Sequence, residues 1–134
     1  MTLRAVGSVP TIYTFQRLFQ LLSANMAITT DQQFTKLFSG TLWDPQFIVA
    51  DYVSGAFSVA CAGGIFSGAN KTGSAIVSTG QSWSSLASGP NTQVNATVQA
   101  NITTFNVTPF FSLTTGNTGA LVANLYIYGF CFDN

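Results

Sequence analysis

The sequence has no histidine and no glutamate, and it is poor in charge of either sign. Charged residues make up 6% of its 134 residues, with four basic and four acidic side chains, against about 25% in an average soluble protein. General acid–base catalysis relies most often on histidine and then on carboxylates, and a serine nucleophile activated by histidine is excluded outright. These absences argue against an enzyme.

The remaining carboxylates and thiols are a poor basis for a catalytic or metal site. Asp44 precedes Pro45, where a turn-forming aspartate is expected, and Asp51 lies in an apolar run, where it is expected to be exposed on a half-wetted strand. The acidic residues are too few for a calcium site, and two cysteines without histidine cannot fill the four positions around zinc. We therefore predict no catalytic residue, no metal and no cofactor.

The scarcity of lysine and arginine argues against nucleic acid and anionic lipid as partners. Both kinds of partner need clustered basic residues, whereas the four basic residues here are scattered and the net charge is zero. No apolar run reaches the roughly 20 residues of a membrane span, and Gly7 and Pro10 interrupt the segment where a signal peptide would lie. We expect a soluble protein made in the cytoplasm, and its near-zero net charge favours association.

Cys61 and Cys131 are the only cysteines, and each lies in an apolar run. Free cysteine is among the most buried residue types, so both are expected to be buried thiols. A disulfide between them would require neighbouring strands, because the two Cα atoms must lie within about 7 Å.

The segment GGIFSGANKTG, residues 63–73, has the glycines and the Lys-Thr pair of a phosphate-binding loop. That loop needs the lysine directly after its second glycine, but Ala69 and Asn70 separate Gly68 from Lys71. The residues that follow, SAIVSTG, have a strand pattern rather than a helix pattern. We predict a glycine-rich connection between two strands.

Residues 1–40 are predicted to form an N-terminal arm that packs on the sheet or on a neighbouring subunit. In TIYTFQRLFQLLSA (residues 11–24) the apolar residues recur at helical spacing, with glutamine and arginine on the opposite side. In TDQQFTKLF (residues 30–38) Thr30 and Gln33 have the spacing of a capping box. Both patterns predict short helices, so the arm is expected to be partly helical.

Residues 41–134 have the pattern of a β-sandwich domain. Short β-rich runs such as FIVADYV, AFSVACA, SAIVSTG and FFSLTT are separated by turns, and TQVNATVQANIT alternates apolar and polar residues. The last run, ALVANLYIYGFCF, is apolar on both faces, which is expected of a strand in the middle of a sheet or between a sheet and a partner. The predicted fold is all-β, an antiparallel β-sandwich or jelly-roll-like barrel with a short, partly helical N-terminal segment.

Three segments, TTDQQFTKLFSG, AGGIFSGANKTGSAIV and LVANLYIYGF, resemble those of small accessory proteins of tailed-phage virions. The shared features are a T-D-Q start, an A-G-G-I-F turn, a K-x-G-x-A-I-V strand and a Y-x-Y-G end, over residues 29–130. The resemblance implies a β-sandwich that decorates or cements the capsid, without catalysis or cofactor. It also implies location in the virion and, as partners, the major capsid protein and copies of this chain.

The predicted contact surface combines the N-terminal segment with the exposed faces of the last strands. Its residues are Ile12, Phe15, Phe19, Tyr126 and Tyr128. The alternative is that the N-terminal apolar residues only close the protein's own core.

Two other functions agree with the same composition. One is a carbohydrate-binding sandwich for receptor binding or adhesion, with Trp43, Trp83, Tyr126 and Tyr128 as its sugar platform, because Trp and Tyr rings carry a polar handle. The other is a phage tail component or a self-assembling fibre or shell protein, since heads and tails both use small β-sandwiches.

Overall fold

The computed structural model describes residues 12–56, 61–99 and 105–133. Within these ranges the chain forms nine β-strands and one short 3-10 helix, Ser84–Ser88, and no α-helix. The strands are β1 (Ile12–Asn25), β2 (Gln32–Gln33), β3 (Thr35–Lys36), β4 (Leu42–Gly55), β5 (Ala62–Gly68), β6 (Thr72–Val77), β7 (Gln93–Ala96), β8 (Phe110–Thr115) and β9 (Leu121–Asp133).

The strands form two antiparallel sheets that pack together. The large sheet has the order β3-β1-β9-β4-β7 and the small sheet has the order β2-β8-β5-β6. The prediction of an all-β antiparallel sandwich is therefore confirmed. Residues FFSLTT form β8, and the last apolar run forms β9, as their patterns predicted.

Strand β9 is the middle strand of the large sheet, where it pairs with β1 and β4 along almost its whole length. Its odd-numbered residues from Leu121 to Ile127 are fully buried and its even-numbered residues are partly exposed. This period of two is the pleat of a strand with one face on the core. The even-numbered residues therefore lie in the middle of the outer face of the large sheet.

The predicted N-terminal helix is wrong, because residues 12–25 form strand β1 between β3 and β9. Two irregularities interrupt its pairing with β9, one between Arg17 and Phe19 and one between Leu21 and Ala24. At the first irregularity the consecutive residues Leu18 and Phe19 are both buried. Bulges of this kind shift the alternation between inward and outward side chains by one residue. This shift is the reason why the apolar residues of β1 recur at helical spacing in the sequence.

The second predicted helix is also wrong. Its residues form β2 in the small sheet and β3 in the large sheet, with buried Phe34 between them. The backbone N–H of Phe34 donates to the carbonyl of Pro109, and that of Leu37 donates to the carbonyl of Leu18. The segment therefore crosses from one sheet to the other, and its amide groups bond to neighbouring strands instead of closing a helical turn.

The glycine-rich segment at residues 63–73 contains most of β5, a turn and the start of β6, so the predicted connection between two strands is confined to residues 69–71. Its two turn residues, Asn70 and Lys71, both have positive φ, 57° and 59°, which is the signature of a type I′ turn. A carboxylate oxygen of Asp31 accepts a hydrogen bond of 2.6 Å from the backbone N–H of Asn70. The lysine is a turn residue and not part of a phosphate site.

The core between the sheets contains both tryptophans, each fully buried. The indole N–H of Trp43 donates to the carbonyl of Val107 at 2.8 Å, and that of Trp83 donates to the carbonyl of Gly63 at 3.1 Å. Buried indole groups need such partners. Neither ring can serve as a surface platform for a sugar, so that part of the carbohydrate alternative is wrong.

The two cysteines are free thiols. Cys61 is buried, as predicted, and burial raises the pKa of its thiol to about 11. Cys131 is only half-buried on β9, where its sulfur accepts a hydrogen bond of 2.9 Å from the side chain of Gln16.

Candidate functional site

Five aromatic residues lie together on the outer surface of the large sheet, here called the aromatic face. They come from the three long strands β1, β4 and β9: Phe15, Phe47, Tyr126, Tyr128 and Phe130. Phe15 and Phe47 are the most exposed members, at 55% and 45%. Soluble monomers rarely expose contiguous apolar surface of this kind, and such surface marks interaction sites.

Register explains how the aromatic face forms. Phe15 lies opposite Phe130, and their rings make an edge-to-face contact with centroids 5.3 Å apart. Phe47 lies opposite Tyr128, with centroids 5.8 Å apart. Residues directly opposite on antiparallel strands point to the same face, so the outward pleat of β9 gathers aromatic residues from both neighbours.

A bulge in β4 sets the outward direction of Phe47. Pairing with β9 shifts between Pro45 and Phe47, so Asp44 and Phe47 both lie opposite outward residues of β9. The strands approach closely here, because a Cβ added to Gly129 would overlap the carbonyl oxygen of Asp44. Partial burial raises the pKa of the Asp44 carboxyl above its usual range, and a hydrogen bond from Gln46 opposes the rise.

Arg17 is the cation of the aromatic face. Its guanidinium donates two hydrogen bonds to the hydroxyl of Tyr128, at 2.9 and 3.2 Å. The same group lies 4.1 Å from the ring centroid of Tyr126, within the range of a cation–π interaction. The bond to Tyr128 is the largest of the effects that raise the pKa of Arg17, so the group stays charged.

The same outer surface becomes polar toward the start of β9. Asp51 of β4 lies opposite Asn124 of β9 and Gln93 of β7. One carboxylate oxygen of Asp51, Oδ1, is buried and has no hydrogen-bond partner. These three residues, with Asn91 and Thr92, are here called the polar end.

Two adjoining depressions of about 410 and 430 Å³ occupy this region and share Asp51 and Gln93 as lining residues. The first extends over buried Val49 to the aromatic face, and the second extends over the polar end. Their volumes fall in the range of small-molecule sites, about 300 to 1,000 Å³. The surface therefore combines exposed rings, one cation, one anion and several amides.

Of the residues predicted for the contact surface, some lie on the aromatic face and one lies in the core. Phe15, Tyr126 and Tyr128 lie together on the aromatic face. Phe19 does not, because it is 1% exposed and packs edge-to-face against Trp43 with centroids 4.7 Å apart. Its prediction as a contact residue is corrected, since the bulge before it turns its side chain into the core. The side chain of Ile12 lies outside the described part of the structure.

Phe47, Arg17 and Asp51 were not predicted as site residues. For Phe47 and Asp51 the sequence did contain a signal. The period of two in FIVADYV places Phe47, Val49 and Asp51 on one face of a strand. The sequence did indicate an exposed Asp51, but it could not show which side chains lie beside it. Arg17 was assigned to the polar side of a helix, so its contact with the tyrosines was hidden.

The carboxylates do not form a catalytic pair. Asp44 lies opposite Phe130 and Asp51 lies opposite Asn124, six positions away on β9. At about 3.3 Å per residue their Cα atoms are roughly 20 Å apart, whereas paired carboxylates in glycosidases lie about 5 to 9.5 Å apart. Among the described residues, no three His, Cys, Asp or Glu side chains come close enough together to bind a metal ion.

Comparison with protein-family models, with curated proteins and with solved structures found no match. Within the described ranges, no helix has the length and apolar character needed to cross a membrane.

Proposed function

We propose that this protein is a non-enzymatic structural component of a virion, a decoration or cement protein that binds the capsid shell through its aromatic face. The observation that carries the proposal is the row of exposed rings across β1, β9 and β4, with Phe15 and Phe47 about half exposed. A central strand that is apolar outward as well as inward needs a second covering layer. The resemblance of residues 29–130 to small phage accessory proteins supports the proposal that this layer consists of capsid subunits and neighbouring copies of the chain.

The size of the surface suits a specific protein contact. β9 has 13 residues, or roughly 43 Å at about 3.3 Å per residue, and three strands about 4.8 Å apart span roughly 14 Å. The flat area of this patch is roughly 600 Å², and protruding side chains add to it. A standard protein interface buries about 800 Å² on each partner, so the patch is close to that size. Contacts repeated around a symmetric shell then gain further from avidity.

Low charge determines how such a contact responds to salt. Among the side chains that the structure describes, only Arg17 and the two aspartates of β4 carry charge on the β1, β9 and β4 part of this surface. At 1 M salt the Debye length is about 3 Å, so an electrostatic contact would be screened and an apolar one would persist. We expect the protein to stay on its particle at 1 M NaCl.

Co-sedimentation tests the proposal. Labelled full-length chain is pelleted with purified capsid shells that lack it, and the bound fraction is compared between wild type and Phe15→Ser/Phe47→Ser. The double variant should bind at least tenfold more weakly. Val107→Ser is the matched control, because Val107 is 40% exposed in the loop before β8, and it should bind within twofold of wild type.

Two results would overturn the proposal. One is a double variant with native thermal unfolding that pellets as well as wild type. The other is release of the wild-type chain at 1 M NaCl, which would make the contact electrostatic.

A further inference from the structure

We propose that the polar end and the depression beside it bind a neutral carbohydrate, an activity that goes beyond the proposed attachment to a shell and excludes it, because the rings of Phe47, Tyr126 and Tyr128 would serve both contacts. The aromatic face and the polar end lie on the same sheet but differ in chemistry. The depression between them has rings of Phe47, Tyr126 and Tyr128 on one side and Asp51 and Gln93 on the other. A sugar has the same division, with hydroxyl groups at its edge and C–H bonds on its faces.

The carboxylate of Asp51 identifies what the ligand must supply. A carboxylate oxygen only accepts hydrogen bonds, and Oδ1 is buried without a donor in the free protein. Oδ1 itself has almost no accessible surface, but Asp51 as a whole is only partly buried and lines both depressions, so a ligand donor would bond to the accessible part of the carboxylate. Hydroxyl, amide N–H and ammonium groups are the candidates.

The two charged side chains that line the depression determine which of these donors fits. Arg17 lines the same depression as Asp51, so an ammonium group would meet a positive charge as well as a negative one. An anionic ligand would likewise meet the carboxylate. A neutral hydroxylated ligand avoids both conflicts, because its hydroxyl groups can donate to Asp51 and accept from side-chain amides.

The amides at the polar end match that requirement. Gln93 and Asn124 lie on either side of Asp51 on the adjacent strands, and Asn91 and Thr92 line the adjoining depression. Each side-chain amide offers both a donor and an acceptor, as a vicinal pair of hydroxyl groups does. Asn124 keeps its position because its Oδ1 accepts a hydrogen bond of 2.8 Å from the backbone N–H of Ser23.

Two measurements test this site. Full-length labelled chain is applied to a glycan array that carries neutral hexose and N-acetylhexosamine oligosaccharides beside sialylated and sulfated ones. The neutral glycan with the strongest signal is then titrated by NMR into wild type, Asp51→Asn and Asp44→Asn. We expect neutral glycans to bind, and Asp51→Asn to weaken the affinity about tenfold or more, because a charged hydrogen-bond acceptor is lost.

Asp44→Asn is the matched control, since it makes the same chemical change on the same strand and the same sheet surface, outside both depressions. It should bind within twofold of wild type. The site is overturned if no neutral glycan binds, if only anionic glycans or a peptide bind, or if a folded Asp51→Asn variant binds as wild type does. Pelleting of Asp51→Asn with capsid shells reports on the proposed function separately, so either proposal can fail alone.

Discussion

The guanidinium of Arg17 donates two hydrogen bonds to the hydroxyl of Tyr128, at 2.9 and 3.2 Å, across the boundary between β1 and β9. An arginine on an open sheet surface would ordinarily sample many rotamers. Here the two bonds and the ring of Tyr126 hold it in one orientation. A partner that docks on this face therefore meets a fixed charge and loses less side-chain entropy on binding.

Removing the Tyr128 hydroxyl should release Arg17 without unfolding the protein. In Tyr128→Phe the ring remains but both hydrogen bonds are lost, and the free energy of unfolding should change by less than about 1 kcal/mol at this surface position. NMR relaxation of the Arg17 Nε–H group should show an order parameter that falls from about 0.8 to below about 0.6. An unchanged order parameter in Tyr128→Phe would show that the hydroxyl does not hold the guanidinium.

Phe15 and Phe19 are the same residue type on one strand, and the bulge between them places them on opposite faces. Phe19 is fully buried, so Phe19→Ala should lower the free energy of unfolding by about 3 to 5 kcal/mol. Phe15 is 55% exposed, and Phe15→Ala should cost about 1 kcal/mol or less. Urea denaturation of both variants measures the difference, and equal losses would contradict the register of β1.

Gly129 is required by the close approach of β4 to β9. In Gly129→Ala the new methyl group would overlap the backbone carbonyl of Asp44, so the bulge that directs Phe47 outward must move. Overpacking of this kind costs about 1 to 3 kcal/mol, and we expect a loss at the upper end. Thermal unfolding measures it.

Gly80→Ala is the control for that prediction. The nearest atom to its new Cβ is Oγ of Ser78, at 3.8 Å, so this variant should differ from wild type by less than about 1 kcal/mol. A Gly129→Ala protein as stable as Gly80→Ala would mean that the strands can separate without cost.

The two thiols should differ sharply in reactivity. The pKa of Cys61 is raised to about 11 by burial, so about one thiol in a thousand is ionised at pH 8, and the group is enclosed as well. Cys131 is half-buried and should be the one that reacts first with a disulfide reagent in the native protein. Both should react in guanidinium chloride, and rapid native labelling of Cys61 would contradict its burial.

The same burial makes stability depend on alkaline pH. The folded-state pKa of Cys61 lies above the ordinary 9.0, so the unfolded chain releases this proton at a lower pH than the folded one. The free energy of unfolding should therefore decrease as the pH rises from 9 towards 11. Cys61→Ser removes the thiol and should flatten this part of the pH profile.

Short apolar runs bounded by turns made the later strands predictable. In β8 and β9 the apolar pattern and the flanking turns were enough to locate each strand, and the two apolar faces of β9 indicated its central position. In β1 the same reasoning failed, because two bulges shift the pleat and produce the spacing of a helix. Bulges depend on how the partner strand pairs, which a local pattern does not contain.

The functional surface was only partly predictable for a related reason. Tyr126 and Tyr128 could be identified as outward residues from the pattern of β9 alone. Their neighbours Phe47 and Arg17 reach them only through the order β1-β9-β4, which is set by pairing between distant parts of the chain. The unpartnered oxygen of Asp51 likewise depends on its burial in the folded sheet.

The central claim is that this protein is a structural component of a virion, and its copy number tests that claim most directly. Quantitative mass spectrometry of purified particles would give the number of these chains for each major shell protein. A decoration or cement role predicts a small whole-number ratio, and a handful of copies per particle would place the chain at the tail or a vertex instead. Absence of the chain from the particles would contradict the account.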